Sequence, residues 1–193
     1  VQTCALPISG LQYLAALADF APLPKPAKPQ GLPERYVAVK FYGRATFPYP
    51  HPDVAAFVQR VTATIAAQCP VVLLNSGSEH DDHVDIPIAG DRIYSLPPDV
   101  KPQDNLAVQA AVLAHAAAFV GTYGGVAQLG LRLGVPSCSF YAEWGGTAHA
   151  HFALSSWLSK HLNVPFVVGS LQDTAFWKQV LVVPPARAQQ EAA

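Results

Sequence analysis

The stretch AAFVGTYGGVAQLGLRLGVPSCSFY, residues 117–141, decides the fold. It predicts a buried strand over 117–121, a glycine-rich turn, a helix over 124–133 and a second buried strand over 136–141. A strand, a helix and a further strand in this order form a βαβ unit with parallel strands. Ligands of such sheets bind beyond the carboxyl ends of the strands, and the turn Gly-Thr-Tyr-Gly-Gly falls there.

The same alternation of strands and helices continues on both sides of this stretch. The apolar pattern predicts strands at 35–42, 70–76 and 91–96, and helices at 53–68, 103–116 and 151–162. Strands that alternate with helices of ten or more residues indicate a parallel sheet with helices on both faces. The predicted fold class is therefore α/β, with a Rossmann-like sheet.

Composition excludes several classes of function. The chain is 51% hydrophobic and 13% charged, with a formal net charge of -1, so it lacks the basic surface that nucleic-acid binding needs. Cys4, Cys69 and Cys138 have no CxxC or zinc-ligand spacing, which indicates a reducing compartment, the cytoplasm. No apolar run approaches the ~20 residues of a membrane span, so any contact with the inner face of a membrane would be peripheral.

The amino-terminal part of the chain divides into segments. Residues 1–9 begin with VQTCALPI, which resembles a translated sequencing adapter, and we expect them to be an artefact. Residues 10–34 combine a predicted helix at 10–20 with a proline-rich linker. We expect the helix to be the tail of a preceding domain that is truncated here. Residues 35–183 form the predicted domain, and 184–193 a frayed tail.

Two interpretations of the glycine-rich turn remain open. Glycine at 121, 124 and 125 permits a positive φ and lets a ligand approach the backbone, and the start of the next helix favours an anion such as a diphosphate. Alternatively, these glycines only permit a tight turn between strand and helix.

The pattern FVGTYGGVAQLGLRLGVPSCSFY resembles the C-terminal, nucleotide-sugar-binding domain of GT-B glycosyltransferases, with the heptosyltransferase-like branch the most similar. The resemblance covers roughly residues 35–165, and its specific part runs from Asn105 to Phe140. It implies that Gly121, Thr122, Tyr123, Gly124 and Gly125 contact the diphosphate of the donor. That branch usually has Asp-Ser-Gly at the turn and a His on the helix.

This chain departs from that pattern, because Tyr123, Gly124 and Gly125 replace the Asp-Ser-Gly and Gln128 replaces the His. Retaining members carry two glutamates where this chain has Gly121 and Leu129, so the resemblance implies an inverting enzyme.

The resemblance thus implies transfer of a sugar from a nucleotide-sugar donor to a glycan or other hydroxyl acceptor. The catalytic base would come from the domain that precedes this one, and no cofactor is expected. Two alternatives are a nucleotide-sugar epimerase of GT-B-like fold and a non-catalytic sugar-nucleotide-binding module.

The helix predicted at 103–116 supplies further candidates. Asp104 fits an N-cap position, and Asn105 and Gln109 lie one turn apart on the same helix face. The resemblance places the start of this helix near the nucleoside, although capping and solvent contact also explain Asn105. His115 is more typical of a packed or C-capping histidine.

Two basic residues follow the first strand of the domain. Lys40 and Tyr42 share one strand face by the period of two, and Arg44 could pair bidentately with a phosphate. A role as ordinary surface cations is the alternative for both Lys40 and Arg44.

The loop NSGSEHDDHVD, residues 75–85, carries two histidines and four carboxylates. Its spacing is more typical of a solvated turn than of a metal site, and we expect no metal. Asn75, Ser76 and Gly77 end a strand at the ligand edge and could contact the nucleotide. Glu143, His149 and His151 lie on the same side, where helix capping competes with substrate contact.

Overall fold

The described part of the chain contains eight strands and four α-helices, and from Asn105 onward strands and helices alternate strictly. The structure is a computed structural model and describes residues 20–44, 46–75, 83–97, 100–143 and 148–173. The strands are β1 (Val37–Lys40), β2 (Tyr42–Gly43), β3 (Val71–Leu73), β4 (Val84–Asp85), β5 (Ile93–Ser95), β6 (Ala118–Thr122), β7 (Ser137–Tyr141) and β8 (Phe166–Ser170). The helices are α1 (Pro52–Gln68), α2 (Asn105–Ala114), α3 (Gly125–Arg132) and α4 (Ala148–Leu162), and a 3-10 turn (Pro102–Asp104) leads into α2.

Six of the strands form one parallel sheet in the order β5-β3-β1-β6-β7-β8. Numbered along the chain, these six strands follow the order 3-2-1-4-5-6, which is that of a Rossmann-like doubly wound sheet. The prediction of an α/β fold with a Rossmann-like parallel sheet is therefore confirmed. The two remaining strands, β2 and β4, pair antiparallel in a separate ribbon.

The sequence predicted most of these elements but missed three strands. The first predicted strand, 35–42, is interrupted at Phe41, where the chain leaves the main sheet and enters the ribbon. Both ribbon strands are only two residues long, too short for a period to be recognised. The third missed strand, β8, forms the edge of the sheet beside β7. The helix predicted at 10–20 lies outside the described residues except for Phe20.

Helix α1 shows how local sequence sets an element. Pro52 occupies its first turn, where its missing N–H costs nothing, and the His51 ring accepts a hydrogen bond from the Asp53 N–H at 3.3 Å. The helix ends at Cys69, whose N–H donates to the Ile65 carbonyl, and Pro70 follows. Its buried side chains recur at helical spacing and lie against the sheet.

The core consists of two apolar layers, one on each face of the sheet. The first packs α1 against the side chains of Val37, Val39, Val71 and Val120. The second packs α2 and α3 against the alternate residues of the same strands, and α4 packs against α3. The interior strands are apolar on both faces, as is usual for a covered parallel sheet.

The proline-rich segment 20–34, here called the strap, lies against the domain. Its Leu23 N–H donates to the Arg132 carbonyl at 2.7 Å, and its Pro26 carbonyl lies 2.8 Å from His115 Nε2. Leu32 packs on the second core layer before the chain enters β1. Since α2 and α3 both end near these contacts, the strap runs along the amino ends of the strands.

None of the helices in the described ranges has the length and apolar character needed to cross a bilayer.

Candidate functional site

The candidate site lies where the strand order of the sheet reverses. From the central strand β1 the chain proceeds outward through β3 and β5, then returns to the other side of β1 with β6. The last residue of β1, Lys40, is paired with Gly121 of β6. Ligands of open α/β sheets bind in the crevice beyond such a pair of carboxyl ends. We call this place the switch-point crevice, formed by residues 40–44 and 121–125.

The three glycines of the turn do not serve the same purpose. A Cβ on Gly121 would overlap the Lys40 carbonyl oxygen of the neighbouring strand, and a Cβ on Gly124 would overlap the Tyr42 hydroxyl. A Cβ on Gly125 would meet no heavy atom within 4 Å. Close packing within the protein therefore explains two of these glycines, and only Gly125 is exposed beside open space.

None of these three glycines uses the left-handed backbone that glycine permits. Among the described glycines, left-handed φ values occur at Gly31, Gly90 and Gly134, whereas Gly124 has extended backbone with φ 172° and ψ -159°. Close approach of neighbouring atoms, rather than left-handed backbone, is what requires a glycine at 121 and 124.

Helix α3 begins at the crevice without a side-chain cap. Gly124 is its N-cap residue and makes no side-chain hydrogen bond, while its carbonyl accepts from the N–H groups of Ala127 and Gln128. The N–H groups of Gly125 and Val126 have no acceptor within the helix, because helix geometry leaves the first donors unpaired. These donors and the helix dipole give this end a partial positive charge.

Thr122 fixes the backbone of Tyr42. The Tyr42 N–H donates to Thr122 Oγ1 at 3.1 Å, and the Thr122 hydroxyl donates to the Tyr42 carbonyl at 3.2 Å. Thr122 is 1% exposed. Its side chain therefore ties β6 to β2 and does not present its hydroxyl to the crevice.

Arg44 brings a positive charge to the start of α3. Its Nη1 lies 3.9 Å from the position that a Cβ on Gly124 would take. Its Nε is buried and has no hydrogen-bond partner among the described residues. A buried donor without a partner carries a free-energy cost, which a bound acceptor would remove.

Lys40 and Asn75 lie beside the crevice and are largely engaged with the protein. Lys40 Nζ lies 3.5 Å from Asp85 Oδ1 and donates to the Leu74 carbonyl at 3.2 Å. Asn75 donates to the Ile86 carbonyl at 3.1 Å, and its Oδ1 is buried without a partner within the described ranges. Asp85 thus balances the charge of Lys40, whereas the ion pairs of the described residues do not include Arg44. Ser76 and Gly77 lie outside the described residues.

Tyr123 and Gln128 point toward α4 instead of the crevice. The Tyr123 ring lies 6.2 Å from that of Phe166, and Gln128 Nε2 donates to Ser155 Oγ at 3.2 Å. Burial raises the pKa of the Tyr123 phenol to about 12, although the nearby Ser155 side chain acts in the opposite direction. Both residues therefore position α3 on α4.

The candidates on α2 form a separate group. Gln109 is 5% exposed and donates to Asn105 Oδ1 at 2.6 Å, so the two side chains satisfy each other. Asp104 stands at the N-cap as predicted but makes no side-chain cap hydrogen bond. His115 is the C-cap residue, and its ring contacts the strap.

Two residues of the site were not among the predicted donor-binding residues. Tyr42 lies against Gly124, and its ring lies 4.5 Å from that of His83, which precedes β4. The pairing of β2 with β4 brings these residues together, and no local pattern signals a pairing between segments so distant in sequence.

The residues considered for metal or substrate contact are dispersed. Within the described ranges, no three His, Cys, Asp or Glu side chains are grouped to hold a metal ion. The loop that was considered as a metal site lies mostly outside those ranges, at residues 76–82. Glu143, His149 and His151 are all exposed.

No protein-family model matches the chain, and no curated protein matches it. What the crevice binds is therefore inferred from its geometry and from the sequence pattern.

Proposed function

We propose that this domain is the donor-binding half of an inverting glycosyltransferase, which transfers a sugar from a nucleotide-sugar to an acceptor hydroxyl. The observation that carries the proposal is the meeting of Arg44 with the uncapped start of α3 at the switch point of a Rossmann-like sheet. The resemblance of residues 105–140 to GT-B donor-binding domains supports the same conclusion.

A diphosphate fits the charge and the donors of the crevice. The guanidinium of Arg44 can bind two phosphate oxygens through parallel hydrogen bonds, and the N–H groups of Gly125 and Val126 can bind others. Arg44 is better suited to this role than Lys40, because Asp85 already lies beside the Lys40 ammonium. A nucleotide-sugar presents such a diphosphate between its nucleoside and its sugar.

In the proposed reaction the acceptor hydroxyl attacks the anomeric carbon of the donor sugar. The bond between that carbon and the diphosphate oxygen breaks, and the oxygen leaves with the electron pair. Arg44 and the start of α3 stabilise the negative charge that develops on the leaving diphosphate. The acceptor proton goes to a general base, which the resemblance assigns to another domain, so this domain holds and stabilises the leaving group.

The test is calorimetric titration of UDP, GDP and ADP into the chain and its Arg44→Gln variant. We expect at least one diphosphate to bind, and we expect Arg44→Gln to weaken that binding about tenfold or more, since a charge-assisted bidentate contact is lost. Arg60→Gln, an exposed position on α1, is the matched control and should bind as the unaltered chain does. Absence of binding by all three nucleotides, or unchanged affinity in Arg44→Gln, would refute the proposed site.

A further inference from the structure

We propose that Phe47 is a positioning residue for Arg44. Its buried ring anchors the backbone from which the Arg44 side chain extends, and thereby keeps the guanidinium at the start of α3. The ligand of that guanidinium, a nucleoside diphosphate, rests on the proposed function. The positioning of Arg44 by Phe47 does not.

Arg44 and Phe47 form an isolated antiparallel bridge directly after β2. The Arg44 N–H donates to the Phe47 carbonyl at 3.0 Å, and the Phe47 N–H donates to the Arg44 carbonyl at 2.9 Å. The two residues thus exchange both backbone hydrogen bonds, as a hydrogen-bonded pair of an antiparallel ladder does. Because of these two bonds, an anchor on Phe47 also restrains the backbone of Arg44.

The Phe47 ring anchors this bridge in the core. It is fully buried in the apolar layer that packs α1 against the sheet. Its centre lies 5.9 Å from that of the Phe41 ring, at an interplanar angle of 24°. The Phe41 ring in turn lies 6.4 Å from that of Phe140, at 28°. Stacked rings at such distances attract each other and bury a large apolar area, so the three rings connect the bridge to β7.

Backbone hydrogen bonds fix the same segment to the end of β7. The Thr46 carbonyl accepts from the Ala142 N–H at 3.0 Å and from the Glu143 N–H at 3.1 Å. Both donors directly follow β7. The chain is therefore restrained after Arg44 by its contacts with β7, and before Arg44 by the pairing of β2 with β4.

The Arg44 side chain depends on this restrained backbone. Its Nη1 lies 3.9 Å from the position that a Cβ on Gly124 would take, and its buried Nε has no hydrogen-bond partner among the described residues. No hydrogen bond within those ranges therefore fixes Nε, and the position of the guanidinium follows from the backbone and from packing. A group that is already held in its bound position loses less conformational entropy when a ligand binds.

Replacement of Phe47 by leucine should loosen Arg44 without removing its charge. We expect Phe47→Leu to lower the affinity for the diphosphate several-fold, toward the roughly tenfold loss expected for Arg44→Gln. Phe57→Leu is the matched control, because Phe57 is buried in the same apolar layer and its ring also contacts that of Phe41. It lies within α1 and is not part of the bridge, so its variant should keep the affinity.

A double variant shows whether Phe47 acts through Arg44. If it does, Phe47→Leu combined with Arg44→Gln should bind the diphosphate no more weakly than Arg44→Gln alone. A ring that supports the ligand site in another way would cause a further loss in the double variant.

The experiment combines NMR measurement of solvent exchange at the Arg44 Nε–H without ligand and calorimetric titration with UDP, GDP and ADP. Both are applied to the chain and to the two phenylalanine variants, and the double variant is titrated. Arg44→Gln lacks the Nε–H and therefore identifies its signal. We expect faster exchange of the Nε–H in Phe47→Leu, and the rate of the unaltered chain in Phe57→Leu. Phe47→Met, of more similar volume, replaces Phe47→Leu if thermal melting shows that the latter is unfolded.

The two proposals fail separately. Unchanged Nε–H exchange in Phe47→Leu, or equal acceleration in Phe57→Leu, overturns the positioning role of Phe47. A diphosphate affinity that is unchanged in Phe47→Leu, equally reduced in Phe57→Leu, or further reduced in the double variant overturns it as well. Faster exchange in Phe47→Leu alone, combined with no binding of any diphosphate by any of the proteins, supports the positioning role and overturns the proposed function alone.

Discussion

Adjacent glycines 124 and 125 differ in what a side chain at each position would meet. A Cβ on Gly124 would overlap the Tyr42 hydroxyl, whereas a Cβ on Gly125 would meet open space. Loss of ligand binding after substitution of Gly124 would therefore mix a packing defect with any effect on the ligand. Gly125 separates these two effects.

We expect Gly124→Ala to lower the free energy of unfolding by about 1–3 kcal/mol, because an overpacked core side chain must move. Gly125→Ala should retain that free energy or raise it by up to about 1 kcal/mol, since alanine favours the helix. If a diphosphate lies on the start of α3, the added methyl group of Gly125→Ala should weaken its binding about tenfold or more. Urea denaturation measures the free energy of unfolding, and calorimetric titration measures the affinity for the diphosphate. Full binding by folded Gly125→Ala would show that the glycine-rich turn connects strand and helix without binding the ligand.

Thr122 and Thr62 form a matched pair of buried threonines, each 1% exposed. The Thr122 hydroxyl makes two hydrogen bonds with Tyr42, while Thr62 Oγ1 has no partner in the part of the chain that the structure describes. Thr122→Val should lower the free energy of unfolding by about 1–3 kcal/mol, because it removes both buried hydrogen bonds between the Thr122 hydroxyl and the Tyr42 backbone. Thr62→Val should change it by less than about 0.5 kcal/mol or raise it. Equal costs for the two variants in urea denaturation would contradict this assignment.

At the scale of elements, the Tyr36 hydroxyl ties the start of β1 to the last turn of α2. It donates to the Val112 carbonyl at 2.6 Å, and burial raises the pKa of its phenol from 10.0 to about 12. The folded state therefore favours the neutral phenol. This contribution to stability is fully present below pH 10 and is lost as the pH rises to about 12.

We expect the free energy of unfolding to fall less steeply between about pH 10 and pH 12 in Tyr36→Phe than in the unaltered chain, because one of the phenols that ionise on unfolding is absent. The Lys28 ammonium lies 5.9 Å from the centre of the Tyr36 ring. Both proteins contain this lysine, so they differ only in the phenol hydroxyl. Urea denaturation across this range measures the slope. Tyr94→Phe, at an exposed position, should keep the original slope. Identical slopes for all three proteins would contradict the prediction.

The elements that could be predicted are those in which apolar residues recur at regular spacing within the element itself. The amphipathic pattern of α1 and the apolar runs of β6 and β7 specify them locally, and the alternation of types specifies the parallel sheet. The ribbon could not be predicted, because each strand has two residues and pairing between distant segments creates it. β8 follows a long helix as a five-residue run containing Gly169, a signal too weak to distinguish it from a loop.

The candidate site was likewise predicted only in part, because some of its contacts join segments that are distant in sequence. The turn at 121–125 and its place at the carboxyl edge follow from the βαβ pattern. The approach of Arg44 to Gly124 depends on where the chain goes after β1, and the contact of Tyr42 with Gly124 depends on the ribbon. Such tertiary contacts have no signature in a single sequence.

On the scale of the whole molecule, the amino ends and the carboxyl ends of the parallel strands differ in what lies beside them. The strap crosses the amino edge and contacts the ends of α2 and α3. The carboxyl edge carries the switch-point crevice and the proposed ligand site. We therefore infer that substitutions at the amino edge act mainly on stability, and that those at the crevice act mainly on binding.

The interior position of β1 also affects synthesis of the protein. β1 leaves the ribosome before its neighbour β6, which follows only after α1, β3, β5 and α2. Until β6 emerges, one side of this apolar strand keeps unpaired N–H and C=O groups that can pair with other chains. We therefore expect a nascent chain that pauses before β6 to be more prone to association with other chains than the finished domain, in which this strand lies at the centre of the sheet.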